Sequence, residues 1–417
     1  MPYDTPVCII GGGPGGAATA LKLSYLGIPC ILFEKATFPR DKICGDAISG
    51  KVTTLLDRLD PAILHRFRAS AERQIGVWGI RFIAPNRKIL DIPFQSNYQD
   101  LDQHPPGYVS RRVQFDHFLI EEVKRRDNIE YHEGVEITQY DRIEGGYRVQ
   151  DKAGKFDIRC QLLIMANGAH SSFSRKEAGL VKDPKHYAGA VRAYYHGVEG
   201  LHEDGFIELH FLKEMIPGYF WIFPLPNGDA NVGLGMRTDI LQKKKVNLRK
   251  AMEDIIENHP TIAHRFKNAK QEGKIIGYSL PLGSKKQKLS GDHYLLVGDA
   301  GYLIDPLTGE GIGNAVYSGF IAAELAEKCI AEQNFSADFL SAYDVRVARV
   351  LGSEMRLSYR LQQLLQYPSM ANFLASLIHR NRRILDVLTR MYDDFSVRKQ
   401  LIKPTFWIKL FLGKQPD

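Results

Sequence analysis

The apolar positions in the first thirty-five residues predict a strand, a helix and a second strand. Residues 7–10 (Val-Cys-Ile-Ile) form a short apolar run, and residues 30–33 form another. Between them, residues 17–26 are rich in helix-forming residues and end at Gly27. Two buried strands joined by a helix are the β-α-β unit of a parallel sheet. We therefore predict that the chain opens with a Rossmann-like unit.

Further along the chain the pattern changes to short strands and then to helices. Residues 78–92 predict a β-hairpin, and residues 113–126 predict an amphipathic helix. Residues 129–165 and 186–236 alternate between apolar and polar positions, as antiparallel strands do. From residue 312 to about residue 400 the pattern is largely helical. The first unit is therefore followed by β-rich segments and by a helical end.

A glycine-rich turn joins the first predicted strand to the first helix. Gly11, Gly13 and Gly16 satisfy the pattern G-x-G-x-x-G, which allows a tight turn, close approach of a pyrophosphate and close packing of the helix. The diphosphate then lies at the positive N-terminus of the helix. Glu34 follows Gly16 by eighteen residues and ends the second strand, where its carboxylate can accept hydrogen bonds from ribose hydroxyls. This context favours a dinucleotide site over a simple glycine-rich turn.

A second glycine motif near residue 300 favours FAD over NAD. An apolar strand ends in Gly298 and Asp299, and this carboxylate suits a ribityl hydroxyl. Residues 305–312 (Asp-Pro-Leu-Thr-Gly-Glu-Gly-Ile) place glycines where a helix begins. Free amides at that helix start can stabilise negative charge on the N1/C2 edge of a reduced flavin.

The two motifs together resemble those of the glutathione-reductase-like FAD family. The resemblance is to the branch that contains aromatic hydroxylases, flavin halogenases and geranylgeranyl reductases, and it extends to about residue 330. Arg112 lies in Arg-Val-Gln-Phe-Asp and matches the R-x-x-F-D motif, whose arginine contacts FAD; the alternative is an ordinary surface arginine. Asn167 and Gly168 stand where the branch has Asp-Gly. The missing carboxylate leaves open any contribution to cofactor or nicotinamide contacts.

A basic loop with one cysteine resembles a loop of the geranylgeranyl reductases. Residues 38–46 match the pattern P-R-x-K-x-C-G, which implies that Arg40 and Lys42 line the FAD phosphates and that Cys44 lies near the isoalloxazine. A thiol in a basic loop beside a flavin has a reason to be partly thiolate. The alternative is a small buried cysteine that packs a turn.

An aromatic strand points to the same reductases. Tyr219–Pro224 matches their Y-x-W-x-F-P motif, whereas flavin halogenases carry W-x-W-x-I-P. Tyr219, Trp221 and Phe223 alternate along the strand and are expected to share one face. They either form the wall of a pocket for a prenyl chain or belong to the ordinary core.

Three residues are candidates for the reacting centre, and a larger set is expected to bind FAD; no metal site is expected. The reacting-centre candidates are Cys44, Tyr219 and Trp221. The expected FAD-binding residues are Gly11, Gly13, Pro14, Gly16, Glu34, Lys35, Arg40, Cys44, Gly45, Arg112, Gly168, Gly298, Asp299, Pro306, Gly309, Gly311 and Ile312.

The fold class predicted is mixed α/β: a Rossmann-like FAD-binding domain with an inserted antiparallel β-sheet substrate domain and C-terminal helices. The FAD-binding domain is discontinuous in this prediction, because its two glycine motifs lie far apart. Its expected segments are residues 1–75, 105–180 and 277–330. Residues 76–104 and 181–276 are expected to form the substrate domain, and residues 331–417 a helical, basic C-terminal region.

Charge and composition narrow the location and the partners. Most of the net charge of +7 lies between residues 379 and 414, which contain nine basic and three acidic residues. Because the rest of the chain is nearly neutral, no nucleic-acid partner is expected. This segment carries Phe406 and Trp407 and suits either an anionic membrane surface or an amphipathic cap. Five scattered cysteines indicate a reducing cytoplasm without disulfides or an iron–sulfur cluster. We predict no transmembrane helix, and the strand that begins near Met1 leaves no room for a signal peptide.

The leading hypothesis is an FAD-dependent reductase of isoprenoid double bonds, as the resemblance to geranylgeranyl reductases implies. The alternative within the same fold is an FAD monooxygenase or hydroxylase of an aromatic or lipid-like substrate. A quinone oxidoreductase with a four-iron cluster is disfavoured, because the cysteines lack the ligand spacing. A non-enzymatic FAD-binding protein is a third hypothesis. NAD(P)H and ferredoxin both remain open as electron donor.

Overall fold

The structure is a computed structural model that describes residues 3–95, 98–99 and 104–380. The strands within these ranges are β1 Thr5–Ile10, β2 Cys30–Glu34, β3 Ala47–Ile48, β4 Gln74–Val77, β5 Gly79–Ile83, β6 Ile89–Pro93, β7 Gly107–Ser110, β8 Ile129–Glu133, β9 Ile137–Ile143, β10 Gly146–Asp151, β11 Asp157–Met165, β12 Tyr187–His196, β13 Ile207–His210, β14 Tyr219–Pro224, β15 Ala230–Arg237, β16 Lys270–Pro281, β17 Ser290–Gly291 and β18 Tyr294–Leu296. The α-helices are α1 Pro14–Tyr25, α2 Gly50–Leu59, α3 Pro61–Arg68, α4 Arg112–Lys124, α5 Ser172–Lys176, α6 Thr238–Lys244, α7 Leu248–Asn258, α8 Ile312–Glu332, α9 Ala337–Val350, α10 Gly352–Leu365 and α11 Pro368–Arg380.

The first large sheet carries both glycine motifs. Within the described residues it has eight strands, six of which have the order β17-β18-β11-β1-β2-β8. Of the other two, β10 pairs with β11 and β9 pairs with β10. β1 lies between β2 and β11 and is parallel to both, and β18 is parallel to β11. The loops after β1, β11 and β18 therefore leave the sheet at the same edge, where open α/β sheets place their ligands.

The second large sheet is mainly antiparallel. Its seven described strands have the order β16-β12-β15-β14-β13-β5-β6, and only the β13–β5 pair in this part of the structure is parallel. The predicted hairpin at residues 78–92 is confirmed, since β5 pairs with β6 from Gly79 opposite Pro93 to Ile83 opposite Ile89. A third, small sheet has the order β3-β7-β4.

Alternation along β14 separates two apolar cores. Phe220 and Ile222 pack with α7 on one side of the seven-stranded sheet. Trp221 and Phe223, with the partly buried Tyr219, pack on the other side. The predicted common face of the three aromatic residues is therefore confirmed.

Long helices complete the fold on the side of the eight-stranded sheet. α1 packs closely on α8, and only glycine fits at position 319, since a Cβ there would lie 2.7 Å from the carbonyl oxygen of Gly15. The mixed α/β class and the predicted C-terminal helices are confirmed as far as residue 380, and the basic segment beyond it lies outside the described residues. None of the helices described is both long enough and apolar enough to span a membrane. The predicted domain boundaries stay a prediction.

Candidate active site

One cavity of about 420 Å³ is lined by residues from both large sheets. Gly13, Ala166 and Val297 contribute from the loops that follow β1, β11 and β18. Ala190 and Trp221 contribute from β12 and β14. The cavity thus connects the glycine loops of one sheet with the aromatic face of the other.

The glycines of the first loop have different tasks. Gly11 has a φ of +109°, and a Cβ there would lie 2.5 Å from the carbonyl oxygen of Ala166. A Cβ at Gly16 would lie 1.8 Å from the carbonyl oxygen of Gly11. These two glycines are required by the fold itself. Gly13 is different, because a Cβ there would meet only Arg40, at 3.8 Å, and would otherwise point into open space.

Glu34 holds the first loop from the end of β2. Its Oε2 accepts a hydrogen bond of 2.7 Å from the amide of Gly12, and its Oε1 accepts one of 2.9 Å from Ala36. The Arg40 Nε lies 3.8 Å from the same carboxylate. Glu34, Arg40 and the exposed Lys35 are beside the glycine loop but do not line the cavity.

Two arginines share one buried carboxylate next to the cysteine loop. Asp116 accepts hydrogen bonds from Arg112 Nε at 2.6 Å and from Arg40 Nη1 at 3.0 Å. Burial alone lowers the pKa of Arg112, but Asp116 and the contacting Cys44 side chain raise it above its ordinary value. Because Arg40 also lies 3.8 Å from Glu34, two guanidinium groups and two carboxylates form one charged cluster beside the cavity. Asp116 was not among the predicted site residues, although it is the aspartate of the same R-x-x-F-D motif and lies one helical turn after Arg112.

The second glycine region forms the opposite part of the cavity wall. Asp299 follows β18, and its Oδ2 lies 3.6 Å from Lys42 Nζ of the cysteine loop. Gly311 precedes α8, and within the described structure no side chain caps that helix N-terminus. The Tyr219 hydroxyl donates a hydrogen bond of 2.5 Å to the carbonyl oxygen of Thr308. The aromatic strand is therefore attached directly to this glycine loop.

The cysteine loop lies against the aromatic strand. A Cβ at Gly45 would lie 3.1 Å from the Phe223 ring, so only glycine allows this approach without a shift. The Asn231 Nδ2 donates a hydrogen bond of 2.8 Å to the carbonyl oxygen of Cys44, and the Trp221 Nε1 donates one of 2.9 Å to Asn231 Oδ1. Cys44 and Trp221 both line the cavity. No motif indicated Asn231, because its partners are far away in the sequence.

A polar cluster at one side of the cavity also escaped prediction. Lys51 Nζ lies 2.9 Å from Glu354 and 3.6 Å from Glu310, and it donates a hydrogen bond of 3.1 Å to Asn314. Burial lowers the pKa of Lys51, but the two glutamates outweigh it and raise the pKa above its ordinary value. Lys51 and Glu354 are separated by about three hundred positions along the chain, so no local pattern could predict their contact.

The cavity brings most of the predicted site residues together. Those that line it are Gly13, Pro14, Cys44, Gly45, Arg112, Gly168, Tyr219, Trp221, Gly298, Asp299, Pro306, Gly309, Gly311 and Ile312. Those that do not are Gly11, Gly16, Glu34, Lys35 and Arg40. This second group belongs to the first glycine loop, the end of β2 or the loop after it.

A parallel sheet with two glycine loops at one edge and an acidic residue at the end of β2 defines an FAD-binding protein. The FAD binding domain family matches residues 4–226, and the geranylgeranyl reductase catalytic domain family matches residues 187–273. The chain belongs to the geranylgeranyl reductase family of FAD-dependent flavoproteins, and it is an FAD-dependent oxidoreductase.

Known proteins agree with this family along most of the chain. The digeranylgeranylglycerophospholipid reductase of Methanococcus vannielii is 30% identical over 350 residues, which are 82% of this chain and 82% of that protein. The menaquinone reductase of Mycobacterium tuberculosis is 26% identical over 402 residues, 93% of this chain and 90% of that protein. A solved geranylgeranyl bacteriochlorophyll reductase-like protein of Thermoplasma acidophilum has a TM-score of 0.78 at 22% identity, with 95% of each chain covered. The solved structure establishes the shared fold.

Proposed function

We propose that the protein reduces carbon–carbon double bonds in the isoprenoid chain of a lipid. When bound and reduced, FAD supplies a hydride to one carbon of the double bond, while a proton adds to the other. The observation that carries this proposal is the single cavity that connects the glycine loops with the apolar face of Trp221 and Phe223. Such a cavity allows a prenyl chain to lie beside the flavin site.

The residues present suit FAD from its adenosine ribose to its flavin ring. The open space at Gly13 and the N-terminus of α1 suit the pyrophosphate. Glu34, at the end of β2, is positioned for the adenosine ribose, and Asp299 for a ribityl hydroxyl. The uncapped N-terminus of α8 suits the pyrimidine edge of the flavin, where negative charge develops on reduction. Arg112, which is paired with Asp116, also lines the cavity.

The other half of the cavity suits a flexible apolar chain. Its wall includes Val77, Ile80, Leu209, Trp221 and Phe223. Burial of apolar surface contributes about 25 cal/mol per Å² to the free energy of binding. Each isoprene unit that enters the cavity therefore adds to the affinity for a prenyl chain. Aromatic side chains with few rotatable bonds then hold one double bond in place, which is the main requirement for hydride transfer.

Two relatives suggest which lipids to test. By their names, one acts on a digeranylgeranylglycerophospholipid and the other on menaquinone. The geranylgeranyl-bearing glycerophospholipid is our first candidate substrate, because that relative shares the higher identity. Menaquinone is the second candidate.

Electrons are proposed to come from an anionic donor, either NAD(P)H or reduced ferredoxin. Burial lowers the pKa of His170, and the nearby Arg175, Lys182, Lys35 and Lys42 lower it further. The His170 ring packs edge-on against Tyr278, which lines the cavity, with 5.2 Å between ring centroids. These positive charges next to the cavity favour a negatively charged donor.

Peripheral membrane contact is also part of the proposal. Four large apolar side chains on neighbouring parts of the surface are exposed: Ile89, Leu364, Tyr367 and Phe373. The first lies on β6, the second at the end of α10, the third between α10 and α11, and the fourth on α11. The amide of Asn86 donates a hydrogen bond to Asn372, which connects the hairpin with α11. We expect the protein to sediment with anionic vesicles, and truncation after residue 400 or added salt to weaken this. If full-length protein does not sediment with such vesicles at low salt, the proposed membrane contact is wrong.

The decisive test is reoxidation of the reduced protein without oxygen. Dithionite-reduced protein is mixed with a geranylgeranyl-bearing glycerophospholipid, and the flavin absorbance is followed. We expect reoxidation together with a product heavier by two hydrogens per double bond. The same lipid with saturated chains is the control and should leave the flavin reduced. A flavin that stays reduced with both lipids, combined with hydroxylation of a phenolic compound in air, would replace the reductase by a hydroxylase.

A further inference from the structure

Asp46 ends the cysteine loop in an unusual position. Its side chain is fully buried, and its φ of +65° lies in the left-handed region that glycine and asparagine adopt most readily. Its carbonyl oxygen accepts a hydrogen bond of 3.1 Å from the amide of Ser110 in β7. A buried carboxylate in such a conformation is unfavourable on both counts, which makes a functional role worth testing.

The two carboxylate oxygens of Asp46 have different surroundings. Oδ2 accepts hydrogen bonds from the Tyr194 hydroxyl at 2.7 Å and from Asn231 Nδ2 at 2.8 Å. Oδ1 is buried, and no group among the described residues hydrogen-bonds to it. The carboxylate is thus held on one side and free to take up a proton on the other.

Asn231 connects Asp46 with the cysteine loop and with the aromatic strand. It is fully buried, and its Nδ2 also donates to the carbonyl oxygen of Cys44 at 2.8 Å. Its Oδ1 accepts from Trp221 Nε1 at 2.9 Å. An indole N–H can only donate, so the orientation of the amide is fixed. One side chain therefore links the cysteine loop to the aromatic strand by hydrogen bonds.

Charged groups on two elements act on Asp46. Burial raises the pKa of Asp46 to about 6, while Asn231, Tyr194, Arg192 and Arg112 oppose that rise. The Tyr194 ring lies between the guanidinium groups of Arg192 and Arg111, each with its central carbon 4.2 Å from the ring centroid. Arg192 is in turn paired with Asp41 of the cysteine loop. The carboxylate can therefore gain or lose a proton near neutral pH without leaving its site.

We propose that Asp46 is a positioning residue whose ionised carboxylate holds Asn231, and through it Cys44 and Trp221, in the arrangement that shapes the substrate part of the cavity. A neutral carboxyl is a weaker acceptor than a carboxylate, so proton uptake loosens Asn231. The pocket is then tight above the transition and loose below it. This inference rests on the proposed function, because it concerns the wall assigned there to the prenyl chain.

The test uses Trp221 as a reporter in the FAD-loaded full chain. Trp78→Phe and Trp407→Phe leave Trp221 as the sole tryptophan of the three. We expect its fluorescence to change between pH 5 and pH 8 with a midpoint near 6, and Asp46→Asn to abolish the change. Tyr194→Phe removes a donor to the carboxylate, so it should move the midpoint to higher pH. Asp57→Asn, an exposed carboxylate on α2, is the matched control and should keep the wild-type curve.

Activity provides the second readout. The ratio kcat/KM for the geranylgeranyl lipid should fall about tenfold below the same midpoint, as loss of one charge-assisted hydrogen bond implies. Asp46→Asn should show the low value at every pH while keeping FAD bound.

The two readouts separate this inference from the proposed function. A flat Trp221 fluorescence curve in the wild type, or a transition that survives in Asp46→Asn, overturns the role of Asp46 whatever the lipid does. A protein that shows the transition but never reduces a prenyl lipid supports the positioning role and overturns the substrate.

Discussion

The first glycine loop and the wall formed by Cys44 and Trp221, which Asn231 joins from behind, border the same cavity but are specified in different ways. The loop depends on backbone geometry within six consecutive residues, since a Cβ at Gly16 would meet the carbonyl of Gly11 at 1.8 Å. The wall depends on side-chain hydrogen bonds between residues 187 positions apart. A cofactor site of the first kind tolerates little change, whereas a substrate wall of the second kind can be adjusted by single side chains.

The sharpest way to break this comparison is to substitute glycines that differ only in what they face. Gly13→Val should abolish FAD retention and leave the fold intact, because the added side chain fills the space proposed for the pyrophosphate. Gly16→Ala should instead destabilise the fold by about 3 kcal/mol or more, because its Cβ meets backbone. The measurements are FAD released on denaturation, the circular-dichroism spectrum and the melting temperature. Full FAD retention in a folded Gly13→Val protein contradicts the assignment.

A second test concerns stability against pH in the wall. The pKa of Asp46 is about 6 in the folded protein against an ordinary 3.8, so the folded state binds the proton more tightly than the unfolded state. Stability must therefore fall as pH rises from about 4 to about 6. The Asp46→Asn side chain cannot ionise. The free energy of unfolding of this variant, relative to that of the wild type, should therefore rise by about 3 kcal/mol over this interval. Urea unfolding at pH 4 and pH 7 measures the gain, and a difference that does not depend on pH would show that Asp46 ionises freely.

A third test separates catalysis from cofactor binding. Trp221→Ala should slow reoxidation of the reduced protein by a prenyl lipid about a hundredfold, because the chain loses its position beside the flavin site. FAD should stay bound, because the Trp221 indole N–H donates to Asn231 and not to a glycine loop. Trp78→Ala is the matched control, because Trp78 does not line the cavity. Equal reoxidation rates for the two variants would show that the aromatic strand is not part of the substrate site.

The smallest expected effect belongs to a single cofactor contact. Asp299→Ala should weaken FAD binding by about 1–3 kcal/mol, the range for one charge-assisted hydrogen bond. Titration of the apoprotein with FAD measures the change, and Asp57→Ala, an exposed carboxylate, provides the reference. An unchanged affinity would mean that Asp299 serves only its contact with Lys42.

Much of the fold could be predicted because its signals are local. The apolar runs around Gly11 predicted β1, α1 and β2, and alternation along residues 219–223 predicted which aromatic side chains share a face. The parallel β13–β5 pair had no such signal, because it joins segments that are distant in the sequence.

The candidate site divides in the same way. Gly13, Arg112 and Asp299 lie in short motifs, and all three line the cavity. Asn231 and Lys51 were not predicted, because an isolated asparagine or lysine has no meaning until the fold brings its partners close. Motifs thus pointed to the expected cofactor residues, while the polar contacts of the substrate wall required the structure.

The most direct test of the central claim is a crystal structure of the FAD-loaded protein with a geranylgeranyl-bearing lipid. One cavity should then contain both molecules, with FAD along Gly13, Asp299 and the start of α8, and with the prenyl chain against Tyr219, Trp221 and Phe223. Lipid density on another face of the protein, or FAD away from Gly13, would contradict the account.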